Sequence, residues 1–248
     1  MNQSYFKNSI FILVAIVLGT SASSMAQTFV TGHYDIEAHY HEGALEVALH
    51  NHDADVSYEL SGANLPMFQI GFGNAAGTAP APQQNLTIGD TSLGSVWVNA
   101  HSEASADLLN QPFIGFSAAD LSTSDGWSGA VTFTLKSLQY TGTGLGKLFL
   151  FEDETVYWNS TLTGGSNLGS FTVGGGQHGH GEFAFSDEGL YALQLEVSGT
   201  LNSALVTSAP GTLKINVVPE PSTGVLFMAG LAALAAVRRR MRMSFWQF

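Results

Sequence analysis

Short runs in which apolar and polar residues alternate recur between residues 27 and 217. Val131-Thr-Phe-Thr-Leu-Lys136 alternates, as do Leu148-Phe-Leu-Phe151 with its flanks and Tyr191-Ala-Leu-Gln-Leu-Glu-Val197. A period of two is the signature of half-buried β-strands. Gly, Ser, Thr and Asn punctuate these runs, and residues 74–84, 161–167 and 174–176 read as loops. Ser102 to Leu109 has room for a helical turn or two, and no long amphipathic helix precedes Gly224. Many short strands with frequent turns predict an all-β fold, an antiparallel β-sandwich.

The segment from His33 to His52 gives the most detailed prediction. Two alternating runs flank Glu42-Gly43, and a two-residue turn there makes a hairpin. Facing residues then have numbers that sum to 85: His33 with His52, Asp35 with His50, His39 with Glu46, His41 with Ala44. One face carries Tyr34, Ile36, Ala38, Tyr40, Leu45, Val47 and Leu49. The other carries His33, Asp35, Glu37, His39, His41, Glu46, His50 and His52. A slip of one residue would put half of each apolar set in water, so packing fixes the register.

Asp187-Glu-Gly189-Leu-Tyr191 has the D-x-G-x-Y form of a tyrosine corner and resembles that element of immunoglobulin-like sandwiches. The resemblance implies an immunoglobulin-like arrangement, with the Tyr191 hydroxyl bonded to backbone nearby.

The two ends depart from the β pattern. Lys7, an apolar stretch from Ile10 to Leu18, and small residues at Ser24 and Ala26 make a secretory signal peptide over residues 1–26, cleaved before Gln27. This implies the Sec machinery and signal peptidase as partners. At the other end, Pro219-Glu220-Pro221 precedes fourteen uncharged, mostly apolar residues from Gly224 to Val237. Arg238, Arg239, Arg240 and Arg242 follow. Fourteen helical residues reach about 21 Å, short of a hydrocarbon core of about 30 Å, so the segment is a marginal membrane helix with its arginines on the cytoplasmic side. Motif, short helix and arginine cluster over residues 218–248 resemble the PEP-CTERM sorting signal of Gram-negative bacteria. That resemblance implies processing by an exosortase, transient anchoring in the inner membrane, and delivery to the cell surface, outer membrane or extracellular matrix.

Removing both ends changes the charge. Residues 27–217 keep three lysines (Lys136, Lys147 and Lys214), no arginine and nineteen acidic residues, a net charge of −16. Such a polyanion repels nucleic acid and anionic lipid. There is no cysteine, hence no disulfide and no thiolate chemistry.

The hairpin's polar face then stands out for its chemistry. Facing residues have Cβ atoms about 4.5–5.5 Å apart, and two imidazoles at that spacing reach one ion with bonds of about 2.0–2.1 Å. A second cluster, Gln177-His178-Gly-His180-Gly-Glu182, has its two imidazoles and a carboxylate on one parity, opposite Phe183 and Phe185. Beside the hairpin it would complete an N/O site from His33, Asp35, His50, His52, His178 and His180. His101 and Glu103 form a further candidate pair. Imidazole and carboxylate suit zinc, and also copper and nickel. No helical H-E-x-x-H, nucleophile elbow, phosphate loop or lysine-centred site occurs, so a binding rather than a catalytic protein is expected.

Gly32-His33-Tyr-Asp35-Ile36, His50-Asn-His52-Asp53, and the stretch from Gln177 to Tyr191 resemble the surface domain called choice-of-anchor M, across most of residues 29 to 200. The resemblance implies a β-rich surface domain tied to zinc or manganese supply. The expected function is an exported surface protein holding a divalent transition metal, zinc first. The alternative is a structural component of the exopolysaccharide or surface matrix, in which the histidines are incidental.

Overall fold

The computed structural model describes residues 27–62, 65–71, 83–161 and 167–218. The expected signal peptide, the Pro219-Glu220-Pro221 motif, the apolar tail helix and its arginines lie outside them. Among the described residues no helix is long and apolar enough to cross a membrane.

The described chain is mostly strand, in three sheets. The seven-stranded sheet runs in the order Thr28–Phe29, Met67–Gly71, Gly211–Val218, Gly189–Leu201, Trp127–Gly142 and Ser170–Gly174, with Ala204–Thr207 on the Gly189–Leu201 strand. A five-stranded sheet is built on Leu148–Glu152, Glu182–Phe185 and Thr91–Val98. The third, also five-stranded, runs His178–His180, Pro112–Ser117, Gly32–His41, Ala44–Asn51, Val56–Glu59. One hydrophobic core joins them: Ile36, Leu49 and Phe116 meet Phe133, Leu193 and Ile215, together with Leu150, Phe183 and Trp158. This is the layered packing expected of a β-sandwich.

The hairpin forms in the predicted register. Asp35 faces His50, His39 faces Glu46 and His41 faces Ala44, while the His52 N–H donates to the His33 carbonyl at 3.0 Å. Glu42 and Gly43 both have positive φ, 50° and 86°, as a type I′ turn requires. Tyr34, Ile36, Ala38, Leu45, Val47 and Leu49 are buried in the core, but Tyr40, near the turn, is exposed.

Two features differ from expectation. First, three pairings are parallel, including Gly32–His41 with Pro112–Ser117. The chain between those two strands travels through the other sheets, so it returns pointing the same way. Second, the polar face of the hairpin is partly covered. The helix Glu103–Leu109 packs on Gly32–His41 and Pro112–Ser117, and Ala106 and Leu109 cluster with Phe113 there. Ser102 caps this helix by accepting from the Ser105 N–H, and Asn110 ends it in the left-handed region. Along the same hairpin strand Asp35 is 0% and Glu37 5% exposed.

The tyrosine corner has the predicted local geometry. The buried Tyr191 hydroxyl donates to the Asp187 carbonyl at 2.6 Å and accepts from the Asp187 N–H at 3.2 Å.

Candidate metal centre

The site is assembled by three neighbouring strands. Across the third sheet, His180 pairs with Gly115, Gly115 with Asp35, and Asp35 with His50. In Pro112–Ser117, Ile114 and Phe116 point to the core, so Phe113, Gly115 and Ser117 lie on the outer face with the histidines. Gly115 has no side chain, and the His180 and Asp35 side chains close over it. A Cβ on Gly115 would lie 2.6 and 2.7 Å from His180 Cε1 and Nδ1 and would collide with Asp35 Oδ1. The ring of Phe113 lies flat on His180, centroids 4.3 Å apart at 18°, and 5.1 Å from the ring of His33. It holds both imidazoles in place from one side.

His33, Asp35 and His180 each offer one ligand atom, and the three atoms lie within 4.8 Å of one another. His33 Nε2 and Asp35 Oδ1 are 3.7 Å apart. Tetrahedral bonds of about 2.0–2.1 Å set ligand atoms roughly 3.3 Å from each other, so small side-chain rotations close the set on an ion. A second observation is independent of this spacing. His33 Nε2, Asp35 Oδ1 and His180 Nδ1 are buried, and no hydrogen-bond partner reaches any of them. Buried polar atoms are seldom left unpaired, because each costs about 1–3 kcal/mol. Here three of the four such side-chain atoms among the described residues converge on one point.

Electrostatics favour the ligand forms. Burial pushes the His33 and His180 imidazoles below their usual range, with the nearby Asp35 charge opposing the shift in each. A depressed imidazole is neutral at pH 7 and free to ligate. The other oxygen of Asp35 accepts a 2.9 Å hydrogen bond from His52 Nε2. That bond orients the carboxylate as outer-sphere partners of metal ligands do. Glu103, in the first turn of the helix, brings Oε1 to 3.7 Å from His33 Nδ1 and is largely exposed.

Of the six residues the sequence nominated, the structure brings His33, Asp35 and His180 together, with His52 on Asp35. His50 Nδ1 bonds instead to Ser57 Oγ at 3.0 Å, and His178 is exposed with its ring 5.3 Å from that of His180. The sequence reading missed Gly115 and Phe113. The sole trace of Gly115 is a glycine inside the apolar run Pro112-Phe-Ile-Gly-Phe116. On the far side of His180 a cleft of about 260 Å³ is lined by His101, Phe151, Glu152, Asp153, Gly181 and Glu182.

Residues 217–240 match the PEP-CTERM protein-sorting motif. The PEP-CTERM match takes in Pro219-Glu220-Pro221 and Arg238, Arg239 and Arg240. A PEP-CTERM tail marks an exported, cell-surface-directed protein that an exosortase recognises. No curated protein matches the chain at a significant level.

Proposed function

We propose that this exported protein binds a divalent transition metal, zinc first, at a centre formed by His33, Asp35 and His180, with His52 orienting Asp35. The observation that carries the reading is the convergence of three buried, unpartnered ligand atoms over Gly115. Two imidazoles and a carboxylate are the donor set that zinc takes in many proteins, with a fourth position for water or a further ligand. Copper and nickel fit the same donors, often more tightly, so supply decides the occupant. The resemblance of the histidine segments to the choice-of-anchor M domain agrees with a role in zinc or manganese supply. The role is one of binding at the surface, scavenging or buffering the ion where it is met.

Calorimetric titration of the full chain with zinc, after chelator treatment, tests the reading. The expected result is saturable binding well below 100 μM, lost in His33→Ala, Asp35→Asn and His180→Ala. Unaltered binding in all three variants would overturn it. A matrix role without metal is favoured by the sorting tail, the acidic surface and the Ser/Thr/Gly-rich composition; it is the outcome if no metal binds at all.

A further inference from the structure

We infer that the same sheet face carries a second divalent-cation site, held by Glu37, His39 and Asp120, in addition to the centre proposed above. Ligand atoms of these three residues also lie within 4.8 Å of one another. Glu37 and His39 are alternate residues of the hairpin strand Gly32–His41, and Asp120 reaches them from the turn after Pro112–Ser117. His39 Nδ1 is 3.0 Å from Asp120 Oδ2. Glu37 is 5% exposed, and its one hydrogen bond comes from the Ser57 hydroxyl at 3.2 Å. Since that hydroxyl gives its proton to Glu37, the bond to His50 Nδ1 is donated by His50, which fixes the Ser57 side from behind.

The charge balance points to a cation. Glu46 is the cross-strand partner of His39, a third acidic residue next to the group of Glu37, His39 and Asp120. No lysine or arginine belongs to this sheet. Lys136 is held by Glu196 at 3.1 Å on the seven-stranded sheet, Lys214 lies on that sheet too, and Lys147 precedes the Leu148–Glu152 strand. A nearly buried carboxylate beside a second one, with His39 and His50 as its neighbouring bases and no lysine or arginine on the sheet, is costly unless an ion or a proton neutralises it.

The two sites are separate. Asp35 and Glu37 are two residues apart on one strand, about 6.6 Å, well beyond the roughly 3.5–4 Å of a bridged metal pair. Their donors differ as well. The second site has one imidazole and two carboxylates, a harder set that accepts manganese or calcium more readily than the first does.

Native mass spectrometry and calorimetry on the full chain, titrated with zinc and then with manganese, test the inference. The expected stoichiometry is two ions per wild-type chain, one in His39→Ala and in Asp120→Asn, and one in His33→Ala. Asp120 is half exposed, so Asp120→Asn leaves folding intact and keeps the test readable. A wild-type stoichiometry that both His39→Ala and Asp120→Asn retain, whether two ions, one or none, overturns the second site and leaves a plain His39–Asp120 ion pair. Failure of the first centre looks different: His33→Ala then keeps the wild-type stoichiometry while His39→Ala loses an ion.

Discussion

Gly115→Ala separates the geometry of the centre from its chemistry, because it removes no ligand. The new methyl would stand 2.7 Å from His180 Nδ1, where ordinary contact begins near 3.4 Å. The imidazole must therefore retreat by about 0.7 Å, and Asp35 Oδ1 must move away on the other side. Binding asks for the reverse, since atoms now up to 4.8 Å apart must approach to roughly 3.3 Å around an ion. Disturbing partners that merely orient ligands weakens metal binding about 10–100-fold. Displacing two ligands directly should reach at least the upper end, about 100-fold or 2.7 kcal/mol. Folding should suffer less. Overpacking costs about 1–3 kcal/mol, offset by about 0.4–1 kcal/mol from a stiffer unfolded chain. At about 2–4 °C per kcal/mol for a domain of this size, the metal-free melting temperature falls by no more than roughly 10 °C. Calorimetry with zinc gives the affinity, and melting curves with zinc or chelator give the stability. Gly179→Ala is the control: it lies on the strand of His180, and its Cβ meets Phe171 and Val173 at an ordinary 3.5–3.8 Å. Zinc affinity within threefold of wild type in Gly115→Ala would refute the proposed convergence over this glycine.

Three further outcomes are expected. Asp35→Asn abolishes zinc binding yet leaves the metal-free protein at least as stable as wild type, because a buried charge with one hydrogen bond is replaced by a neutral isostere; urea unfolding with chelator checks this, and a large loss of stability counts against it. His50→Ala and His178→Ala reduce zinc affinity less than tenfold, whereas His33→Ala and His180→Ala abolish it; parallel titrations decide. Burial raises the Tyr191 hydroxyl above its usual 10, so the folded state holds its proton more tightly than the unfolded state does. Stability from this group is complete below pH 10 and falls as pH climbs past it. Tyr191→Phe should flatten that alkaline loss in a pH series of melts while costing about 1–3 kcal/mol at pH 7 for the unpaired Asp187 backbone groups.

The hairpin was legible because two local rules act on adjacent residues. Period-two burial sorted Ile36, Ala38, Val47 and Leu49 from His33, Asp35 and His50, and the Glu42-Gly43 turn set the register. The tyrosine corner was legible for the same reason, its partners being four residues apart. The burial of Asp35 was not legible. It depends on His180 closing in beside it over Gly115, a contact between segments that share no local pattern. Strand order was not legible either. His178–His180 does not pair with the hairpin; Pro112–Ser117 lies between them, parallel to one neighbour and antiparallel to the other.

That intervening strand gives Gly115 its meaning. Neighbouring strands lie about 4.8 Å apart, so His180 and Asp35 sit on backbones separated by roughly 9.6 Å. Across that gap an imidazole and a carboxylate meet only if nothing rises between them. Any side chain at the middle position would fill the space in which they converge, as the clash of a bare Cβ shows. A metal site from ligands two strands apart thus requires a glycine at one defined register position. Alternating histidines gave candidates for the ligands, but they lacked this third coordinate. His50 is the counter-case: it is the immediate neighbour of Asp35 across the hairpin, which seemed to favour it as a ligand. Its Nδ1 is instead drawn toward Ser57 on the outer strand, away from Gly115. The proposed ligand set therefore follows where the sheet leaves room, and proximity in register is not enough.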